Sequence, residues 1–140
     1  MRIFLSLPLI ALFLCAIGSC QDKEPADPMA VYWAQFKGNY SAVETCISLG
    51  GIPSPDTTYG VNTITIDSIS PSRFHLVNGI FFFGGDSTHN VNSDTAYYHF
   101  VYSYYGGEAW LVKSTKHLRL KSEISNFNYY KRCFGEYDPG

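Results

Sequence analysis

The chain has 140 residues, a formal net charge of −2, a hydrophobic fraction of 46% and an aromatic fraction of 16%. This length suffices for one domain with one buried core and leaves no room for a second. A slightly acidic chain lacks the basic surface that binds phosphate backbones, so nucleic acid is excluded as an expected partner.

Residues 1–19 have the layout of an export signal. Arg2 supplies a positive charge, and the apolar run from Ile3 to Leu14 is too short to span a bilayer. The segment 17–20 (Ile-Gly-Ser-Cys) resembles the lipobox at which lipoprotein signal peptidase cleaves, which implies that Cys20 becomes a lipidated N-terminus. An ordinary secretory signal that leaves Cys20 as a thiol is the alternative. Lipid on Cys20 is expected to hold the mature chain on a membrane.

Residues 20–28 are predicted to form a flexible tether, because QDKEPADP after Cys20 is polar and acidic and cannot bury apolar surface. This stretch resembles the acidic export tether of surface-displayed Gram-negative lipoproteins, which implies an outer-membrane anchor with the domain on the cell surface. A plain spacer, with the domain on the periplasmic face, is the alternative. Without Arg2, nine basic and twelve acidic side chains give the mature chain a net charge of −3.

Two of the four cysteines are left for a structural role. Cys15 lies in the discarded signal and Cys20 carries lipid. Cys46 and Cys133 are therefore predicted to form a disulfide in an oxidising compartment. Two buried free thiols are the alternative.

The remaining residues, 29–140, show an all-β pattern after one short helix. Asp27-Pro28 before residues 29–36 predicts that helix, which ends at Gly38. Beyond it, β-branched and aromatic runs alternate with turn residues about every ten residues. The predicted strands are 39–48, 61–69, 73–77, 80–83, 95–104, 109–114, 116–124 and 127–137. Eight short antiparallel strands with tight turns predict a small up-and-down barrel, which closes to remove its edges.

Turn chemistry predicts the register of two hairpins. A two-residue turn at Asn78-Gly79 pairs Leu76 with Phe81. It places one set of side chains on the inner face and His75 beside Phe82 on the outer face. The inner set is Phe74, Leu76, Phe81 and Phe83.

A three-residue loop at 105–107 separates apolar from polar partners in the second hairpin. Its predicted cross-strand pairs are Phe100 with Val112, Tyr102 with Trp110, and His99 with Lys113. On the next strand, one face is apolar (Leu118, Leu120, Ile124) and the other is a polar exterior row (His117, Arg119, Lys121, Glu123).

The order of these elements resembles that of the lipocalins, or calycins. A short helix precedes Gly38-Asn39-Tyr40 at the start of the first strand, a long loop follows at 50–60, and the last strand carries Arg132. In that family a glycine, any residue and a tryptophan open the first strand, and a last-strand arginine covers the tryptophan. Tyr40 stands in place of the tryptophan here, and the chain is shorter than a usual lipocalin. The resemblance implies a lipocalin-like barrel with Arg132 over Tyr40.

A barrel of eight strands is just wide enough to be filled by side chains or to hold one small ligand. Buried tyrosine hydroxyls need partners, which favours a wet mouth or a ligand. The loop 50–60 is rich in glycine and proline, yet two of its side chains are apolar enough to cover an opening. The residues predicted to bind a small apolar or glycan ligand are Ile52, Tyr59, Tyr98, Tyr102 and Trp110. The alternative is a structural or accessory subunit of a cell-envelope complex, with a filled barrel that docks a protein partner.

The sequence predicts no enzyme and no cofactor. It lacks a G-x-S-x-G motif, a paired catalytic cysteine and histidine, and a phosphate-binding glycine loop. Residues 86–94 are predicted to form a polar hairpin loop without metal. The alternative is a Ca²⁺ site, because side-chain oxygens stand at alternate positions of this segment. Four Asp-Ser/Thr-x triplets resemble acceptors of bacterial O-glycosylation, and turn chemistry explains them equally well. They begin at Asp56, Asp67, Asp86 and Asp94.

Overall fold

The computed structural model describes residues 26–50, 56–126 and 129–140, and it begins with a short helix, α1 (Pro28–Ala34). The Asp27 carboxylate accepts a hydrogen bond from the Met29 amide at 2.9 Å, and Pro28 lies in the first turn, where no N–H is needed. Trp33 and Phe36 are buried at one end of the sheet. The predicted helix is therefore present, and its Trp33, together with Phe36 two residues after the helix ends, closes that end of the sheet.

Eight antiparallel strands follow, each paired with the next, and the first pairs with the last. They are β1 (Gly38–Leu49), β2 (Asp56–Ser70), β3 (Arg73–Leu76), β4 (Phe81–Gly84), β5 (Thr95–Tyr102), β6 (Tyr105–Val112), β7 (His117–Asn126) and β8 (Tyr129–Pro139). The predicted all-β, eight-stranded up-and-down barrel is confirmed. Residues 56–60, predicted to be loop, belong instead to β2 and pair with β1.

A disulfide joins the first and last strands. Cys46 and Cys133 are direct cross-strand partners, and their Cα atoms are 4.0 Å apart. The sequence-based prediction of this pair is confirmed. The bond ties the two strands at which the sheet closes into a ring.

The half of the barrel next to α1, here the closed half, is filled by side chains. Several large side chains there have relative exposures of 2% or less; they are Trp33, Phe36, Tyr40, Phe74, Tyr98, Leu111 and Leu118. The Tyr40 hydroxyl donates to the Phe36 carbonyl at 2.9 Å, and the Tyr98 hydroxyl donates to the Ser70 carbonyl at 2.9 Å. Backbone carbonyls therefore satisfy both phenols without a ligand.

A second helix, α2 (Ser87–Asn92), occupies the segment that was predicted to be a polar loop. Asp86 caps it by accepting from the Thr88 and His89 amides. Asn90 is buried, and its side chain bonds to the backbone at the edge of the sheet. Its amide group donates to the carbonyls of Pro71 and Tyr97, and its amide oxygen accepts from the Tyr97 backbone N–H. The side-chain oxygens of Asp86 and Asn90 thus accept hydrogen bonds from backbone amides.

The β3–β4 hairpin differs by one residue from its predicted register. Its loop has three residues, 77–79, with Gly79 at a φ of 88°, and Phe74 pairs with Phe82. A slip of one residue turns the side chains of the slipped strand, here β4, to the other face. Phe82 is therefore inside, and Phe81 and Phe83 are about half exposed, at 49% and 52%. The prediction that the latter two point inward was wrong.

The β5–β6 hairpin also differs from the prediction. The chain turns at residues 103–104, where Ser103 has a φ of 52°, and both glycines of the predicted loop lie within β6. Phe100 therefore pairs with Gly107, and a Cβ at that glycine would overlap the Phe100 ring. The glycine makes room for an inward aromatic side chain rather than forming the turn.

This shift moves Trp110 to the outer face, where it pairs with Tyr97, and places His99 opposite Glu108. The predicted inward position of Trp110 was wrong. The predicted exterior row on β7 is confirmed by ion pairs, which include Arg119–Glu136 at 2.7 Å and Lys121–Glu108 at 3.0 Å.

The arginine expected from the lipocalin resemblance does not cover Tyr40. Arg132 is exposed and pairs across the sheet with Ile47 of β1, whereas Tyr40 pairs with Pro139 at the closed end. The Arg132 Nε atom instead lies 2.8 Å from the Glu123 carboxylate, and its guanidinium lies 5.5 Å from the Tyr130 ring centre.

Candidate functional site

The half of the barrel away from α1, here the open half, contains a cavity of about 560 Å³ that opens to solvent. It is bounded by the β3–β4 turn and by strands β4 to β7. Most of its wall is aliphatic or aromatic. The lining residues are Gly79, Ile80, Phe81, Phe83, Phe100, Val101, Tyr105, Ser122 and Ile124.

Short pairing between β4 and β5 creates one side of this cavity. Their ladder has two pairs, Phe83 with His99 and Gly84 with Tyr98. Toward the open end the two strands are no longer paired. Phe81 of β4 and Val101 of β5 therefore border the opening, and Val101 is 80% exposed.

A row of aromatic rings connects the closed half to the cavity. Phe74 contacts Tyr98 edge to face at 4.9 Å and stacks on Phe82 at 4.4 Å, and Phe82 contacts Phe100 edge to face at 4.8 Å. Offset and edge-to-face contacts of this kind are favourable. The filled core thus ends at Phe100, whose ring also lines the cavity.

The opposite interior wall, on β8, β1 and β2, is polar. The Tyr137 hydroxyl donates to Glu44 Oε1 at 2.8 Å and accepts a hydrogen bond from the Asn62 amide at 3.0 Å. Tyr137 is fully buried, and burial together with the bond to the Glu44 carboxylate raises the pKa of the phenol. The phenol therefore stays protonated and remains a donor to Glu44.

Gly135 explains how Tyr137 reaches Glu44. Glu44 and Gly135 are cross-strand partners, and a Cβ at Gly135 would collide with the Tyr137 ring. The ring therefore lies across the glycine and brings its hydroxyl to the carboxylate. Next to Glu44 is a second, largely polar cavity of about 340 Å³. Its lining is Glu44, Cys46, Thr58, Tyr59, Gly60, Val61 and Asn62.

The strands that line the two cavities are joined through β8. Ser122 of the apolar cavity pairs with Cys133, and Cys133 pairs with Cys46, which lines the polar cavity. Neighbouring strands lie about 4.8 Å apart, so about 10 Å separates the backbones of Ser122 and Cys46. The disulfide lies between the cavities. Glu44 and both sulfurs lie within 4.8 Å of one another, but sulfurs bonded to each other are not thiolate ligands for a metal.

The predicted ligand-binding residues do not line one pocket. Tyr98 belongs to the filled core, Trp110 lies on the outer face, and Tyr59 is 72% exposed. Ile52 and the side chain of Tyr102 lie outside the part of the chain that the structure describes. The observed cavity is built instead around Phe100, Ile80 and Ile124, and it borders the β3–β4 turn.

Sequence reasoning missed this site because it depends on the two hairpin registers. The signal that was available is the shortness of the aromatic segment 80–84 beside the longer predicted strand 95–104. Glu44 gives a second signal of an interior polar site. It is an acidic residue on the same face of β1 as Tyr40, Ala42 and Cys46, which are buried.

Comparison with protein families, with curated proteins and with solved structures finds no match to this chain. The resemblances to lipoproteins and to lipocalins therefore stay predictions. In the part of the chain that the structure describes, neither helix is long and apolar enough to cross a bilayer.

Proposed function

We propose that this chain is a lipid-anchored, non-enzymatic binding module whose barrel holds a small apolar ligand in its open half. The apolar cavity of about 560 Å³ carries the proposal. Its volume falls within the range of roughly 300 to 1,000 Å³ that is usual for small-molecule sites. Its wall favours an apolar ligand over a glycan, because the hydroxyl groups in it are those of Tyr105 and Ser122.

The binding energy would come from removing apolar surface from water. Burial contributes roughly 25 cal/mol for each Å² of apolar area, and the exposed rings of Phe81 and Phe83 would be covered together with the ligand. The filled closed half supports the site, since a rigid core fixes the position of Phe100.

Attachment through Cys20 to the outer membrane, with the domain on the cell surface, is the second part of the proposal. It is supported by Arg2, by the apolar run 3–14 and by the lipobox-like segment before Cys20. We expect Cys20→Ala to move the protein from the membrane fraction to the soluble fraction of the cells that make it. An unchanged distribution of that variant between the two fractions would contradict the anchor.

The cavity is tested by titrating the purified domain with N-phenyl-1-naphthylamine, an apolar dye whose fluorescence rises in dry surroundings. The wild type should bind it, and Ile124→Trp, which fills the cavity, should weaken binding by at least about tenfold. Val43→Trp is the matched control, because Val43 is 66% exposed and lines neither cavity. No binding by the wild type, or equal binding by both variants, overturns the proposed site.

One observation favours the alternative of an accessory subunit that docks a protein partner. Val43 and Val61 are direct cross-strand partners with exposures of 66% and 82%, and Tyr59 is 72% exposed. Exposed apolar side chains grouped in this way are typical of contact surfaces. In that case Val61→Glu should reduce the size of the native assembly, and Ile124→Trp should have no functional effect.

A further inference from the structure

The closed end of the barrel carries a group of exposed apolar side chains, here called the helical cap. Their exposures run from 37% to 59%, and they come from both helices. No charged residue occurs between Asp27 and Lys37, so the whole of α1 is uncharged. A surface helix in water usually carries charged residues on its outer face, so the cap has the character of a contact surface. Its members are Met29, Val31 and Tyr32 of α1 and Val91 of α2.

The two helices of the cap form one surface. Lys113 Nζ donates to the carbonyls of Asn90 and Val91 at 2.9 Å and 3.0 Å. The same ammonium group lies 5.6 Å from the ring centre of the buried Trp33, so it ties the end of α2 to α1. An open cleft of about 310 Å³ runs along this junction. Its lining consists of Pro28, Met29, Tyr32, Trp33 and Val91.

The proposed lipid anchor is close to the helical cap along the chain. Six residues separate Cys20 from Asp27, which caps α1, so the Cα atoms of these two residues are at most about 25 Å apart. The twelve-residue strand β1 is about 40 Å long, and with the tilt usual in barrels it separates the two barrel ends by about 30 Å. The segment between Cys20 and Asp27 is therefore too short for the open mouth to rest on the bilayer, and it holds the cap near the bilayer.

We infer that the helical cap rests in the interfacial layer of the membrane, so that the open cavity faces away from the bilayer. This inference rests on the proposed lipid anchor and adds an orientation to it. The cap gains free energy when its apolar side chains leave water. Little affinity is needed, because the anchor keeps the cap at a high effective concentration beside the bilayer. A ligand then enters the cavity from the medium rather than from the lipid.

The chemistry of the cap favours a zwitterionic lipid surface. The mature chain has a net charge of −3, and α1 has no lysine or arginine. Attraction to anionic headgroups needs a basic cluster, so the contact depends on apolar burial instead. The competing orientation lays the barrel on its side, with the exposed Val43 and Val61 of β1 and β2 on the lipid. The test therefore compares the cap with that side of the barrel.

The test places the full lipidated protein in phosphatidylcholine vesicles, with and without a lipid that carries a doxyl quencher near the head of one acyl chain. Val31→Trp puts a reporter in the helical cap, and Val43→Trp puts the same reporter on the side of the barrel; both positions are exposed in the wild type. The wild-type signal of Trp33 and Trp110 is subtracted. The added emission of Val31→Trp should shift to shorter wavelength and fall by at least about half with the quencher, and that of Val43→Trp should do neither.

Hydrogen exchange of the wild-type protein gives a second measurement that needs no added tryptophan. On vesicles, exchange of the α1 amides should slow by at least about threefold, and exchange at residues 56–62 of β2 should not change.

Three results overturn the inference while the protein stays with the vesicles and the anchor stands. The first is an unquenched Val31→Trp reporter with unchanged exchange at α1. The second is quenching of Val43→Trp that equals or exceeds that of Val31→Trp, because the barrel then lies on its side. The third is a shift of Val31→Trp to shorter wavelength without quenching, because protein then covers the cap. If the protein does not stay with the vesicles, the anchor and this inference both fail, and dye binding still tests the cavity.

Discussion

The closed and open halves of this barrel are built from the same strands yet have different interiors. In the closed half, two aromatic rings of the α1 segment and the hydrogen-bonded phenols of Tyr40 and Tyr98 fill the space. In the open half, Gly79 and Ser122 of the lining provide little volume, and a cavity of about 560 Å³ remains. The difference shows that the number of strands alone does not decide whether a small barrel is filled. The sizes of a few inward-facing side chains also decide it.

The disulfide gives the largest expected effect, because it ties both halves at the closing strands. Replacing Cys46 and Cys133 together by serine should lower the free energy of unfolding by roughly 4 kcal/mol, from the loop-closure entropy of an 87-residue separation. Urea denaturation of the oxidised wild type and the double variant measures this loss. A change below about 1 kcal/mol would mean that the sheet closes without the bond.

Truncation of one aliphatic side chain in each half compares their packing directly. Leu111→Ala in the closed half should cost about 3 kcal/mol, because the fully buried leucine leaves a cavity behind. Ile124→Ala in the open half should cost about 1 kcal/mol, because this side chain already borders empty space. Thermal and urea unfolding check both values. Equal losses for the two variants would show that the open half is packed as tightly as the closed half.

Trp110→Ala tests the corrected register of β5 and β6. Trp110 is half-buried on the outer face with its ring centre 5.6 Å from that of Tyr97, so its removal should cost about 1 kcal/mol. Binding of N-phenyl-1-naphthylamine should stay as in the wild type. A loss above about 3 kcal/mol together with loss of dye binding would instead fit an inward tryptophan.

The smallest expected effect concerns acid stability and the outer face alone. Hydrogen bonds from Lys121 and from Tyr97 lower the pKa of the Glu108 carboxyl below its ordinary value. A lowered folded-state pKa contributes stability above the unfolded-state pKa, and this contribution is lost as the pH falls through the folded-state value. Melting temperatures between pH 7 and pH 3 should therefore fall less for Glu108→Gln than for the wild type. A steeper fall in the variant would contradict the assigned bonds.

Much of the architecture follows from the sequence. Turn residues separated the eight strands, Asp27-Pro28 marked α1, and elimination of Cys15 and Cys20 left the correct disulfide pair. The exterior row on β7 also followed, because its alternation of charged and apolar residues has the period of a strand with one face in solvent.

The cavity did not follow, because its walls depend on two turns that the local sequence describes ambiguously. Asn78-Gly79 fits a two-residue turn, yet the observed loop begins one residue earlier and turns Phe82 inward. The pair Gly106-Gly107 fits a turn equally well, whereas its second glycine accommodates the Phe100 ring. A six-residue helix such as α2 shows no periodicity, and Asp86 before Ser87-Thr88 was its one available capping signal.

Methyl-detected NMR with selectively labelled Ile, Leu and Val tests the contrast between the two halves most directly. On addition of N-phenyl-1-naphthylamine, the methyl signals of Ile80, Val101 and Ile124 should shift, and those of Leu111 and Leu118 in the closed half should not. Shifts confined to Val43 and Val61 on the outer face, or no shifts at all, would contradict an apolar ligand site in the open half of the barrel.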